Sequence, residues 1–132
     1  MISLDPASLR ASASTRIAQV AATWDGVQSR PHRFGGIEFH IGKREIGHLH
    51  GDYLLDIPFP MNVRDTLIAS GRVERHHVLP HSGWISLHLH RESDVDDGIA
   101  LLRLSYDLAI ASQQRKRHAE NDIRSEEITD GE

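Results

Sequence analysis

The sequence predicts an α+β fold: a mostly antiparallel sheet of about five strands with helices on one side. Two observations carry the expectation. The middle of the chain holds short alternating runs separated by Gly-containing turns, and both ends show helical spacing of apolar residues.

In chain order, Asp5-Pro6 starts a first helix, with Asp able to cap and Pro suited to the first turn. Leu9, Ile17, Val20 and Ala21 fall at helical spacing up to about Ala22. Asp25-Gly26 ends the helix and Arg30-Pro31 marks a loop. Phe34–Ile41 alternates, placing Ile37, Phe39 and Ile41 on one face. Gly42-Lys43 is a turn, and Arg44–His50 returns with Ile46, His48 and His50 on one face. After Gly51-Asp52, Tyr53–Ile57 completes a three-stranded meander. Met61–Ser70 reads as a helix with Val63, Leu67 and Ile68 inward and Gly71 as its stop.

Val73–Val78 is a fourth strand, which would send His76 and His77 to opposite faces. Trp84–His90 is a fifth, with Trp84, Ser86, His88 and His90 on one face and Trp84 expected in the core. The last helix begins at a capping box of Ser93 and Asp96. Its apolar stripe is Val95, Ile99, Leu102, Tyr106, Ala109 and Ile110. Acids at its start and bases at its end suit the helix dipole.

The 132 residues have the size of one domain, taken here as residues 1–118, followed by an acidic tail, 119–132, expected to be disordered. The tail holds six acids and one base. The chain's net −4 less the tail's −5 leaves +1 for residues 1–118, which argues against a nucleic-acid partner. No cysteine is present, so disulfides, thiol catalysis and thiolate metal sites are excluded. No stretch has the roughly 18 apolar residues of a membrane span, and Met1–Pro6 shows no basic region leading into an apolar run. A cytoplasmic protein with no membrane contact is the expectation.

Six blocks carry a resemblance: His32–Gly36, Glu45–Gly51, Asp56–Phe59, His76–Pro80, Ser82–Trp84 and Leu102–Tyr106. In that order the chain resembles the luciferase-domain family of small bacterial and fungal proteins, over roughly Trp24 to Ala109. This resemblance implies no catalytic residues. The element order, the Trp-bearing strand and the closing helix with Ser105-Tyr106 also resemble the MmcQ/YjbR family. That likeness implies a compact double-wing-like fold and nucleic acid as one possible partner.

Histidine is the compositional outlier, with ten between His32 and His118. His48 and His50 project from one strand face, and His88 and His90 repeat the spacing. Were the two strands neighbours, four imidazoles would converge, and Asp52 or Asp56 would add a carboxylate, a donor set suited to a transition metal. The same spacing also describes a solvated sheet face.

Arg103 has two readings: a helix-surface ion pair with Asp107, or an anion-binding group that faces the sheet together with His48 or His50. Ser82-Gly83-Trp84 lacks the surroundings of a nucleophile elbow, and any Ser–His–acid set could arise by chance among so many histidines. Glu38 and Glu45 read as surface partners of Lys43 and Arg44.

The leading expectation is a binding or interaction module that needs no cofactor. Its site would comprise His48, His50, Asp56, His77, Arg103 and Tyr106, for a polar or anionic small molecule or a protein partner. A metal-dependent enzyme using His48, His50 and a carboxylate is the alternative, and a weak nucleic-acid binder the third.

Overall fold

The structure, a computed structural model, describes residues 12–31 and 35–130. The Asp5-Pro6 start and residues His32–Phe34 lie outside these. The described residues form one six-stranded antiparallel sheet and three helices, the α+β class read from the sequence.

Helix α1 spans Ala13–Ala21. The extended backbone of Ser12 precedes it, and the Ser12 hydroxyl accepts from the Thr15 N–H at 3.2 Å. Asp52 accepts from both the Ser14 N–H (2.9 Å) and the Ser14 hydroxyl (2.6 Å), tying the helix start to the turn after β3. Ile17 and Ala21 are its buried stripe.

Strand β1, Val27–Pro31, stands where a loop was expected. It is an edge strand with almost no burial, paired to β2 (Ile37–Ile41) through its backbone. An edge strand tolerates Pro31 and needs no alternation, so the side chains carry no strand signal.

β3 (Arg44–His50) and β4 (Leu54–Pro58) continue the meander. α2 covers Met61–Ala69, with Val63, Leu67 and Ile68 packed against the core. β5 is only Glu74–Arg75, β6 is Trp84–His88, and α3 runs from Glu92 to Asp130. No described helix is long and apolar enough to cross a membrane.

The strand order is β1-β2-β3-β4-β6-β5. β4 therefore lies between the two His-x-His strands, and the four imidazoles do not converge. His90 also falls beyond the end of β6.

One sheet face carries Phe39, Leu49, Leu55, Ile57, Ile85 and Leu87, all buried under α1 and α3. Leu102 of α3 is fully buried there, worth about 1.5–3 kcal/mol. Gly47 allows this approach, since a Cβ at that position would lie 2.7 Å from Leu102 Cδ1.

α3 starts two residues earlier than the Ser93–Asp96 box implied. Asp94 Oδ2 accepts from the backbone N–H groups of His90 and Arg91, each at 2.9 Å, satisfying donors at the helix start. From Gln114 to Ser125 the helix is exposed on every residue.

The sheet pleat alone would have put Ile46 with His48 and His50. A register shift between Phe39 and His40 leaves Ile46 without an opposite residue. The bulge sends Ile46 into the core, while His48 remains on the polar face.

Candidate functional site

The second sheet face is polar at its centre, and Asp56 organises it. Asp56 sits mid-strand in β4, opposite His48 on β3 and Ser86 on β6. Its neighbours Leu55 and Ile57 point into the core, so its carboxylate points to the other face, yet it is 0% exposed. A buried carboxylate must be met by donors. Ser86 donates its hydroxyl to Oδ1 at 2.6 Å. His50 Nε2 donates to Oδ2 at 2.9 Å and His48 Nε2 at 3.2 Å, and His76 Nε2 lies 3.3 Å from the same oxygen.

His48 is held at both ring nitrogens, because Nδ1 donates to Glu45 at 2.7 Å. Burial works to lower its pKa, but hydrogen bonds to Asp56 and Glu45 outweigh burial and raise it to about 9. Asp56 shows the mirror effect. Burial pushes its pKa up, and the hydrogen bonds from His48, Ser86 and His50 bring it well below the usual carboxylate range.

His76 is different. Its Nδ1 accepts the backbone N–H groups of Val78 (3.2 Å) and Leu79 (3.1 Å). Nδ1 is therefore unprotonated, and the ring proton sits on Nε2, toward Asp56. Burial lowers its pKa, and the Asp56 charge only partly offsets that.

The charged His48 makes stability depend on pH. Its folded pKa exceeds the unfolded value of 6.5, so its contribution is complete below pH 6.5 and is lost as pH rises through about 9. Asp56 acts at the other end: its contribution is present above about pH 4 and falls as the carboxylate protonates. Urea unfolding in EDTA-containing buffer is expected to show greatest stability near pH 6.5, with a loss below it because His76, whose pKa is lowered by burial, resists the protonation that the unfolded chain takes up. Above pH 6.5, a decline of up to roughly 3 kcal/mol should follow by pH 9–10. His48→Gln should flatten that decline. A wild-type curve flat from pH 6.5 to 9.5 would mean that His48 is neutral.

Above the cluster opens a cavity of about 410 Å³, walled by Trp84, Val78 and Leu79 and by the rings of His48, His50, His76 and His77. The Trp84 ring lies 5.0 Å from that of His48, and it is half-buried at the cavity rather than in the core. β5 ends at Arg75, so His76 and His77 leave the strand and its alternation. Their rings stack at 4.9 Å with 16° between planes, and both line the cavity, instead of pointing to opposite faces. His76 is the packed one and His77 the exposed one.

Of the residues read as a site, His48, His50, Asp56 and His77 are brought together. Arg103 and Tyr106 lie on α3, across the sheet. Arg103 pairs with Asp107 at 2.9 Å, and its guanidinium sits 4.9 Å from the Tyr106 ring centre and 5.4 Å from that of Trp24. Tyr106 is buried and donates its hydroxyl to the Asp25 carbonyl at 2.7 Å. Asp52, the other candidate carboxylate, is occupied at the start of α1. His88 and His90 stack on each other at 5.6 Å, with Glu74 at 3.4 Å from His88, in a separate surface depression.

Sequence reading missed Glu45, His76, Ser86 and Trp84 as members. Glu45 and Glu38 turn to His48 and His40 and not to Lys43 and Arg44. The signal that was available is Asp56 itself, an acid inside the run Leu54-Leu55-Asp56-Ile57. Such an acid needs donors from the neighbouring strands, and Ser86 is the polar residue that interrupts Ile85-Ser86-Leu87.

The model of the luciferase-domain family matches residues 43–105, just under half of the chain. The matched segment runs from β3 into α3 and contains every residue named above around Asp56 and the cavity. No curated protein and no solved structure matches the chain.

Proposed function

We propose that this protein binds a small molecule in the cavity over Asp56, one with a flat apolar body and an oxygen-acceptor or anionic head. The observation that supports this reading is the pairing of an apolar wall with a convergent polar floor. Val78 and Leu79 are 66% and 49% exposed, an unfavourable placement for large aliphatic side chains unless something covers them. Trp84 and the stacked His76-His77 pair offer flat ring surfaces beside them. The volume is within the range of small-molecule sites, a few hundred Å³. The His77 ring at the wall presents a nitrogen to the head group, and the floor adds the positive charge of His48, held in place by Asp56 and Glu45.

A binding role fits a site whose charged and polar groups are fixed by one another. Ser86, the nearest hydroxyl, is buried and donates to Asp56, so it is not presented as a nucleophile. The likeness to the MmcQ/YjbR family rests on element order, and a nucleic-acid role would make this face a backbone-binding surface instead.

The test uses 4-hydroxybenzoate as probe, with thermal shift and Trp fluorescence as readouts. Saturable stabilisation of the wild-type chain is expected, with binding at least tenfold weaker in Trp84→Ala and in His77→Ala. Both residues lie at the cavity and outside the apolar core, so the fold should survive. Equal binding in the wild type and both variants would place the probe elsewhere and overturn the reading. Salt-dependent binding of a single-stranded oligonucleotide that is lost in Trp84→Ala would transfer the face to the nucleic-acid alternative.

A further inference from the structure

We propose that His48 Nε2, His50 Nε2 and Asp56 Oδ2 form a binding site for one divalent transition-metal ion at the floor of the cavity. This goes beyond the small-molecule reading and stands on different observations.

The three ligand atoms lie within 4.8 Å of one another. The Nε2–Oδ2 separations are 2.9 Å for His50 and 3.2 Å for His48. Ligand bonds of about 2.0–2.2 Å in tetrahedral arrangement require donor atoms about 3.3 Å apart. Seating an ion therefore changes the two imidazole–carboxylate separations by only a few tenths of an ångström, and the two imidazole nitrogens close up from a separation of at most 4.8 Å. Binding would release the His48 Nε2 proton to solvent, leaving that ring neutral with its proton on Nδ1 toward Glu45, and would require the His50 ring to carry its proton on Nδ1. One proton leaves as the dication enters, and the Asp56 carboxylate offsets part of the added charge.

The surroundings of His48 favour the same assignment. A metal-ligating imidazole usually donates its second ring N–H to a carboxylate, which fixes the ring and leaves the other nitrogen for the ion. Glu45 meets His48 Nδ1 in this way at 2.7 Å. Asp56 is oriented likewise by Ser86, which occupies Oδ1 and leaves Oδ2 toward the imidazoles.

His76 is excluded despite its distance of 3.3 Å. Two backbone N–H groups point at its Nδ1, so that nitrogen holds a lone pair and Nε2 carries the proton. Ligation through Nε2 would require moving the proton to Nδ1, against both donors. His76 instead remains a donor to Asp56 beside the ion.

Two imidazoles and one carboxylate leave open positions, and the cavity is lined by the same two histidines. An oxygen-donor head group in the cavity would reach the ion. The donor set suits zinc, iron(II), cobalt or nickel better than calcium or magnesium. A second carboxylate–imidazole group, Glu38, His40 and Glu45, also lies within 4.8 Å, but it has one imidazole and shares Glu45 with His48.

The test is titration of the full chain, stripped of metal and carrying no affinity tag, with Co²⁺. The readouts are visible d–d absorption and calorimetry, with far-UV circular dichroism reporting the fold. One equivalent per chain is expected, with bands of a four- or five-coordinate ion. His50→Ala should abolish these bands. Glu45→Gln should weaken binding about 10–100-fold while leaving its stoichiometry intact. His76→Ala should keep one equivalent. Absence of saturable Co²⁺ binding to the folded chain overturns the proposal. So does binding that survives His50→Ala and disappears in His88→Ala, which would belong to the exposed His88–His90 pair. Loss of the bands in folded His76→Ala would overturn the assignment of ligands. Because the probe is the metal alone, failure here leaves the organic-ligand reading standing, and the reverse holds as well.

Discussion

Asp56→Ala is expected to lower the unfolding free energy by about 3–5 kcal/mol, the usual cost of removing one partner of a buried charge pair. The carboxylate is fully buried and receives Ser86, His48 and His50 as hydrogen-bond donors, with His76 close by. Without it, an imidazolium on His48 and a hydroxyl on Ser86 face one another with no acceptor between them. Each buried, unsatisfied group costs roughly 1–3 kcal/mol. Asp56→Asn should lose nearly as much. The amide oxygen can accept from one or two neighbours, but its NH₂ would face further N–H donors. Urea unfolding at pH 6 measures both variants. Destabilisation below about 1 kcal/mol in Asp56→Ala would mean that the cluster is solvated and that the carboxylate does not organise it.

Gly83→Ala is expected to cost 3 kcal/mol or more, above the roughly 1–3 kcal/mol typical of overpacking, because the obstruction is backbone. A Cβ on Gly83 would lie 2.1 Å from the carbonyl oxygen of Phe59. The Phe59 N–H donates to the Gly83 carbonyl at 3.0 Å, so the two chains are joined at that point and neither can withdraw cheaply. Gly83 also sets the entry into β6, one residue before Trp84. The variant should therefore lose probe binding as well as stability. Gly71→Ala is the comparison. There φ is +80° and no atom lies within 4 Å of the added Cβ, so only the left-handed backbone is penalised, at about 1 kcal/mol. Thermal melts of the two variants side by side separate close approach from backbone conformation. Equal, small shifts would show that β4 and β6 can part at this end.

What the sequence made legible follows from how local each signal is. The meander from Ile37 to Ile57 and the stripe of α3 are visible because side-chain period reports burial directly. Strand β1 is not, since Val27–Pro31 pairs through its backbone at an edge and buries little. The site was half legible. His48 and His50 share a face by spacing, and Asp56 stands out inside an apolar run. Strand order is a non-local property, however, and the insertion of β4 between β3 and β6 removed His88 and His90 from the cluster. His76 and Trp84 took their place for equally non-local reasons. The short β5 frees His76 from strand alternation, and the polar face on which Trp84 lies is fixed by the pairing of β6 with β4. The bulge at Ile46 is a third case, because a single unpaired residue reverses the face that alternation assigns.

The arrangement of protons around Asp56 is the part of this account on which the cavity floor depends, and imidazole ¹⁵N spectroscopy of the metal-free full chain at pH 7.5 reads it directly. His48 should carry protons on both ring nitrogens, and His76 should show an unprotonated Nδ1 with its proton on Nε2. Adding 4-hydroxybenzoate should move the resonances of His48, His50, His76 and His77 and leave those of His88 and His90 in place. A His48 ring with a single proton, titrating near its ordinary value and unmoved by the probe together with its three neighbours, would contradict the account.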